Sequence, residues 1–454
     1  MKTDMRNTNV KNLIAGLTLG AACLLPVAGW AFDKSKIHAI TPPSAAMNQD
    51  HLKLYYEIPN FRIGGKYNLD ANPETWRDGG EGGTTLESLG APPLKVGYIA
   101  VGTPKSNDRG EITNAVIINT YYSGDSTWMY NTWFEGQPLN AFSDGAIVGP
   151  GRTIDTNRFY VVFLDALGLW GESKPSAGLG RKFPQYNYFD MVQANYRLLR
   201  DHLKVAQVEV ATGVSMGATQ AWVWGVMYSP GGFVKAIMPI GGTTASDGDD
   251  PVGQWTFRLG QAAIESDPIW RQTSGNYYHL PEEKHPKQGL IFMWSLLQLT
   301  GYTFPVRSAT PWSTLQKEVF YWQPKGDESL TYINRTKNED PVDYWYRNQA
   351  GFNHNINKEL KRIKARTLVV HVDTDLWLMV ENARKAAAQV QGAHFASFPH
   401  PAAHYGVFKA PNIIRDTIQA FVEDAFTSKL PGIGGVSGGG GAPVAEAKPS
   451  GLAK

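Results

Sequence analysis

A chain of 454 residues, 42% hydrophobic and 19% charged, has the composition of a globular protein with room for a sizeable core, which excludes a fibrous or wholly disordered polypeptide. Its formal charge of +2 is balanced once residues 1–31, with Lys2, Arg6, Lys11 and Asp4, are set aside, so no nucleic acid or anionic membrane surface is expected as a partner. The single cysteine, Cys23, lies in the same segment, which leaves the rest without a disulfide, a thiolate metal site or a cysteine nucleophile.

The three basic residues precede an apolar run over 13–27, and the small residues Gly29 and Ala31 come before Phe32, the plan of a secretory signal peptide over 1–31. The run is shorter than the roughly 18 apolar residues that a membrane span needs. Export to the periplasm or the medium, with no membrane span after cleavage, is therefore expected. Residues 32–95 are rich in Pro, Gly and Asn, with short strand-like pieces at "LKLYYEI" and "LKVGYIAVG".

Buried strands are expected at Ala115–Asn119, Phe159–Leu167, Val208–Thr212, Lys235–Gly241 and Thr367–Val372, because continuous β-branched runs mark strands covered on both faces. A helix is expected over Phe189–Leu203, where Met191, Tyr196, Leu198, Leu199 and Leu203 fall on one stripe. Strands alternating with helices give the α/β class, with a mostly parallel central sheet and helices on both faces. The core is expected over 32–244 and 363–428, interrupted by a helical cap over 245–362 that contains "LIFMWSLLQLTGY". Beyond it, 429–454 is a Gly/Ala/Pro tail too poor in apolar surface to order itself.

Chemistry concentrates at "TGVSMGATQ". Gly213-Val214-Ser215-Met216-Gly217 fits G-x-S-x-G directly after a strand and before a helical run, the context of a nucleophile elbow. Such a serine needs a base and a group that orients the base. Asp373 and Asp375, just past the Thr367 strand, are both candidates for the acid. Among His394, His400 and His404 the base is expected at His404, in a small-residue loop before the last helix, with His400 the rival. The oxyanion of acyl transfer needs backbone N–H donors. Met216 supplies one and the loop "TYYSGDS", through Tyr121 or Tyr122, the other. Tyr302, Trp312 and Trp322 are further aromatic candidates for a pocket. No metal or cofactor motif occurs, so none is expected; a homodimer is left open.

With these pieces placed, the chain resembles the homoserine O-acetyltransferase family of the α/β-hydrolase superfamily. "GPGRTIDTNRFYVVFLDALG" (Gly149–Gly168) is similar to that family's G-P-G-K-x-x-D-T-x-x-Y-F-V-I run. "GVSMGATQAWVW" resembles its elbow, and "AAIESDPIWRQTSGNYY" (Ala262–Tyr278) its cap segment. The resemblance implies an α/β-hydrolase fold, Ser215 as nucleophile, Asp375 rather than Asp373 as acid and His404 as base; in the reaction expected of this set the oxyanion donors are the Met216 and Tyr122 amides. It also implies two departures. Tyr405 stands where the family has an aspartate for the amino group of homoserine, and Trp294 and Gly301 stand at its carboxylate-binding arginine and its tyrosine. Tyr121, Trp294 and Tyr405 become candidate pocket residues. The expectation is an exported serine hydrolase acting on a small-molecule ester, with O-acyl transfer to a different acceptor as the alternative.

Overall fold

The computed structural model describes residues 53–135, 146–169, 173–315 and 339–423. The expected signal segment, the C-terminal tail and Trp322 lie outside them. The chain opens with β1 (Leu54–Ile58), β2 (Leu94–Val101) and β3 (Ala115–Asn119). After a small parallel ladder, β4 (Val148–Gly149) with β5 (Ile154–Asp155), follow β6 (Tyr160–Leu164), β7 (Val208–Val214), β8 (Ala236–Ile240), β9 (Arg366–Val372) and β10 (His394–Phe398). The large sheet runs in the order β1-β2-β6-β3-β7-β8-β9-β10. Only the β1–β2 and β2–β6 pairs are antiparallel; from β6 to β10 every neighbour is parallel.

The apolar runs explain this sheet, because successive side chains feed opposite faces and both faces are covered. Ile99, Val101, Val116, Ile118, Val161, Phe163, Val210 and Val214 join one core cluster with α1 (Ser126–Trp133) and the C-terminal helix Arg415–Val422. Tyr98, Ala100, Ile117, Val162, Leu164 and Ala211 join the other, with α2 (Tyr188–Arg197) and α3 (Met216–Tyr228). Each expected buried strand is present, Ala115–Asn119 with the expected ends and the other four with one or both ends shifted. β7 runs two residues past Thr212, because Gly213 and Val214 still pair with Pro239 and Ile240. β6 stops at Leu164, where Asp165 turns to an ion pair with Lys53.

The expected helix at Phe189 begins one residue earlier and ends in a π-helical turn over Leu198–His202. A capping box sets its start. Asn187 accepts from the Asp190 amide and Asp190 from the Asn187 amide, both at 3.0 Å, which satisfies N–H groups a helix start leaves open. The same carboxylate accepts from the Gly64 amide at 2.9 Å and the Tyr67 hydroxyl at 2.7 Å, pinning the irregular N-terminal loops to α2.

Between β8 and β9 the described residues are helical, chiefly α4 (Pro251–Glu265), α5 (Lys287–Thr300) and α6 (Pro341–Phe352). This segment meets the carboxyl ends of the parallel strands. Arg347 donates to the Leu167 carbonyl at 3.1 Å, and the Thr303 amide donates to the Pro401 carbonyl at 3.2 Å. No helix among the described residues is long and apolar enough to cross a membrane.

Burial of Asp190 raises its carboxyl to about 7, against the opposing hydrogen bonds from Tyr67, Gly64 and Asn187. The folded chain therefore holds a proton there that the unfolded chain releases near pH 4, and stability falls as pH rises from about 4 to 7. One such group contributes a slope of up to about 1.4 kcal/mol per pH unit. Urea unfolding across this range is expected to show a shallower decline for Asp190→Asn than for the parent chain.

Candidate active site

The turn after β7 is built by close approach. A Cβ on Gly213 or on Gly217 would be driven into the Asn119 carbonyl at the end of β3, so the elbow fits against its neighbour strand only with glycine at both positions. Ser215, between them, has φ 55° and ψ −123°, in the half of backbone space that side-chain-bearing residues rarely occupy, and its side chain caps nothing. The strain is held by the Ser215 amide donating to the Ile240 carbonyl at 2.9 Å and by α3, whose Ala218 and Thr219 amides donate to the Ser215 carbonyl. Oγ is thereby held over the carboxyl edge of the sheet.

Facing it, Nε2 of His404 lies 2.8 Å from Ser215 Oγ, and Nδ1 of His404 lies 2.7 Å from Asp375 Oδ2. A carboxylate only accepts, so Nδ1 carries the imidazole proton and Nε2 is left to accept from the serine hydroxyl. The other Asp375 oxygen accepts from the amides of Trp377 at 2.8 Å and Leu378 at 3.0 Å. Burial alone would push this carboxyl up; His404 chiefly, with His371 and the Leu378 amide, overturns that and holds it below the usual carboxylate value. Immediately before the histidine, fully buried Ala403 has φ 42°, a second strained residue at the site.

The competing candidates lie elsewhere. Asp373 is exposed, with its amide donating to the Phe398 carbonyl. His400 closes the turn before the base. Its Nδ1 accepts from the Ala402 amide, and its carbonyl accepts from the Ala403 amide. His394 opens β10 opposite Leu368.

The loop after β3 carries Tyr121 and Tyr122 and lies beside β7, with Asn119 in register with Gly213. Met216, whose amide is one expected oxyanion donor, opens α3 at the same edge. The loop is anchored by a buried ion triad that motif reading did not reveal. Lys53 Nζ lies 2.9 Å from Asp125 and 2.5 Å from Asp165. Asp125 caps α1 through the Trp128 amide, and Asp165 accepts from the Ser126 amide at 2.7 Å. Burial would lower the lysine, but the two carboxylates dominate and raise it, so it stays charged.

The Tyr121 side chain packs into the core, its ring edge-on to Phe408 at 5.1 Å. The Tyr122 hydroxyl donates to Asn348 at 2.7 Å, and its ring lies among Phe257, Trp294 and Tyr344. Trp294 is buried, with its indole N–H donating to Glu339 at 2.9 Å. Arg347 is fully buried beside the elbow, one guanidinium nitrogen 3.1 Å from the Met216 sulfur. Tyr405 is half-buried against Tyr302 and Trp377, and Trp377 lies over the His404 ring at 4.5 Å. A Cβ on Gly301 would be driven into the Tyr405 ring, so these two positions pack against one another. Trp312 is 63% exposed. Trp377 was missed because no periodicity or motif marks it.

No protein-family model matches the chain. A curated homoserine O-acetyltransferase from Clavibacter michiganensis subsp. michiganensis is 30% identical over 342 residues, which span 69% of this chain and 82% of that one. The structure of homoserine O-acetyltransferase from Bacillus anthracis superposes with a TM-score of 0.62 at 18% identity, over 82% of this chain and 97% of that one. That of an acetylester hydrolase from Corynebacterium glutamicum does so with 0.60 at 19%, over 81% and 96%. The structural likenesses bear out the α/β-hydrolase fold, and the curated relative bears out that the chain is an enzyme. By its identity to a curated relative over most of that relative's length, the chain belongs to the homoserine O-acetyltransferase family.

Proposed function

We propose that this chain is an exported serine ester hydrolase. The observation that carries the reading is the continuous Ser215–His404–Asp375 hydrogen-bonded chain, at 2.8 and 2.7 Å; the resemblance, which puts Tyr405 and Trp294 at the family's charged anchors, supports it. In the proposed cycle His404 Nε2 takes the hydroxyl proton as Ser215 Oγ attacks the ester carbonyl. Asp375 stabilises the imidazolium without taking its proton. The Met216 and Tyr122 amides hold the oxyanion. The alkoxide leaves with the proton from Nε2, giving an acyl-serine and a free alcohol. Water, deprotonated by His404, then attacks the acyl carbon and releases the acid as Oγ recovers its proton.

Against homoserine as acceptor stands the chemistry of positions 294 and 405. A zwitterion needs a partner for each charge, and leaving either charge unpaired in a buried site costs several kcal/mol, about 3–5 in measured cases. At these positions the chain offers an indole whose N–H is taken by Glu339 and a phenol ring packed on Trp377. The signal-like segment supports the same reading, since acetyl-CoA is a cytoplasmic metabolite. Family membership supports a second reading, acyl transfer to another alcohol through the same acyl-serine.

Ser215→Ala is expected to lower kcat on p-nitrophenyl acetate by about 10⁴-fold or more and to abolish labelling by a fluorophosphonate. Unlabelled wild-type protein with no esterase activity would falsify the proposal. Asp375→Asn is expected to lower kcat by about 10⁴-fold while KM changes little, because it turns the imidazole to the wrong tautomer without removing a binding group. In a panel of alcohols, free acid should exceed transferred ester; an alcohol that captures most of the acyl group decides for the second reading.

A further inference from the structure

Ester cleavage fixes where the alcohol half must lie. The departing oxygen collects its proton from Nε2 of His404, so the group attached to that oxygen sits beside the imidazole. What lies there is aromatic. Trp377 covers the His404 ring with centroids 4.5 Å apart and planes 31° apart, Tyr405 stands 5.3 Å from Trp377, and Tyr302 stands 5.4 Å from Tyr405. Unlike the fully buried aromatics of the core, these three rings are half-buried, as Ser215 is.

The three rings are held from both sides. The Trp377 amide donates to Asp375 Oδ1, and its indole N–H donates to Thr300 Oγ1 at 2.8 Å, at the last residue of α5. Tyr405 follows the histidine directly and fills the space that a Cβ on Gly301 would take. The Arg307 guanidinium lies over the Tyr302 ring at 4.3 Å, a cation–π contact that helps to hold the ring.

We propose that Trp377, Tyr405 and Tyr302 form the alcohol subsite, that the substrates are esters of aromatic alcohols, and that Trp377 is the residue that sets this preference. The proposal rests on the ester-hydrolase reading above and adds the class of leaving group. A pre-placed aromatic surface costs a ligand little ordering, and an offset or edge-on ring pair adds to simple burial.

The test compares kcat/KM of the full chain for benzyl acetate, cyclohexylmethyl acetate and O-acetylhomoserine. Benzyl and cyclohexylmethyl alcohols are similar in size, and only benzyl has a π face. Benzyl acetate is expected to exceed cyclohexylmethyl acetate by about fivefold to tenfold and O-acetylhomoserine by more. Trp377→Leu is expected to bring the benzyl-to-cyclohexylmethyl ratio close to one, and Trp377→Phe to restore most of it. Tyr405→Leu, further from the Asp375 amide contacts, is expected to lower the same ratio and serves if Trp377→Leu fails to fold. A wild-type ratio near one, or a ratio unchanged in both leucine variants, overturns the aromatic subsite while leaving ester hydrolysis standing. No turnover of any ester together with no fluorophosphonate labelling overturns both.

Discussion

The approach of the β7–α3 turn to the end of β3 is the constraint on which the rest of the site depends. Because Gly213 and Gly217 let the turn close onto the Asn119 carbonyl, Ser215 is forced to a positive φ and its hydroxyl is lifted clear of the sheet. A parallel sheet adds the second half of the arrangement. All its strands from β6 to β10 end on one edge, so the loops after β3, β7, β9 and β10 converge, although Ser215 and His404 are 189 positions apart.

Around that edge the chain uses buried charge as an anchor. Lys53, from the first described strand region, joins Asp125 of the loop after β3 to Asp165 at the end of β6. Removing one partner of such a group leaves a buried charge unpaired, which makes the arrangement specific even where its net stabilisation is small. Gly97 makes room for it, since a Cβ there would meet Lys53 and Asp165. The N-terminal region thus reaches the same loop that carries the proposed oxyanion donor.

The helices between β8 and β9 complete the edge. Gly301 and Tyr405 lie on different elements and form one packing unit, the ring of one filling the space over the other. Arg347 brings a fully buried cation to the Met216 sulfur. The surface beside His404 is aromatic, made by Trp377, Tyr405 and Tyr302.

Hydrophobic runs and small-residue turns are local signals, and they made much of this molecule legible from residue order alone. The strands from Ala115, Tyr160, Val208, Ala236 and Arg366, the helix near Phe189 and the elbow at Ser215 follow from periodicity and from glycine spacing. From the residues themselves His404 was preferred for its place before the last helix, but Asp373 and Asp375 were equivalent, and Trp377, Thr300 and Lys53 carried no signal. Those choices belong to the tertiary structure. Which carboxylate reaches an imidazole, and which ring covers it, depends on how crossovers bring distant loops to one sheet edge, and no residue's own neighbours in sequence encode that contact.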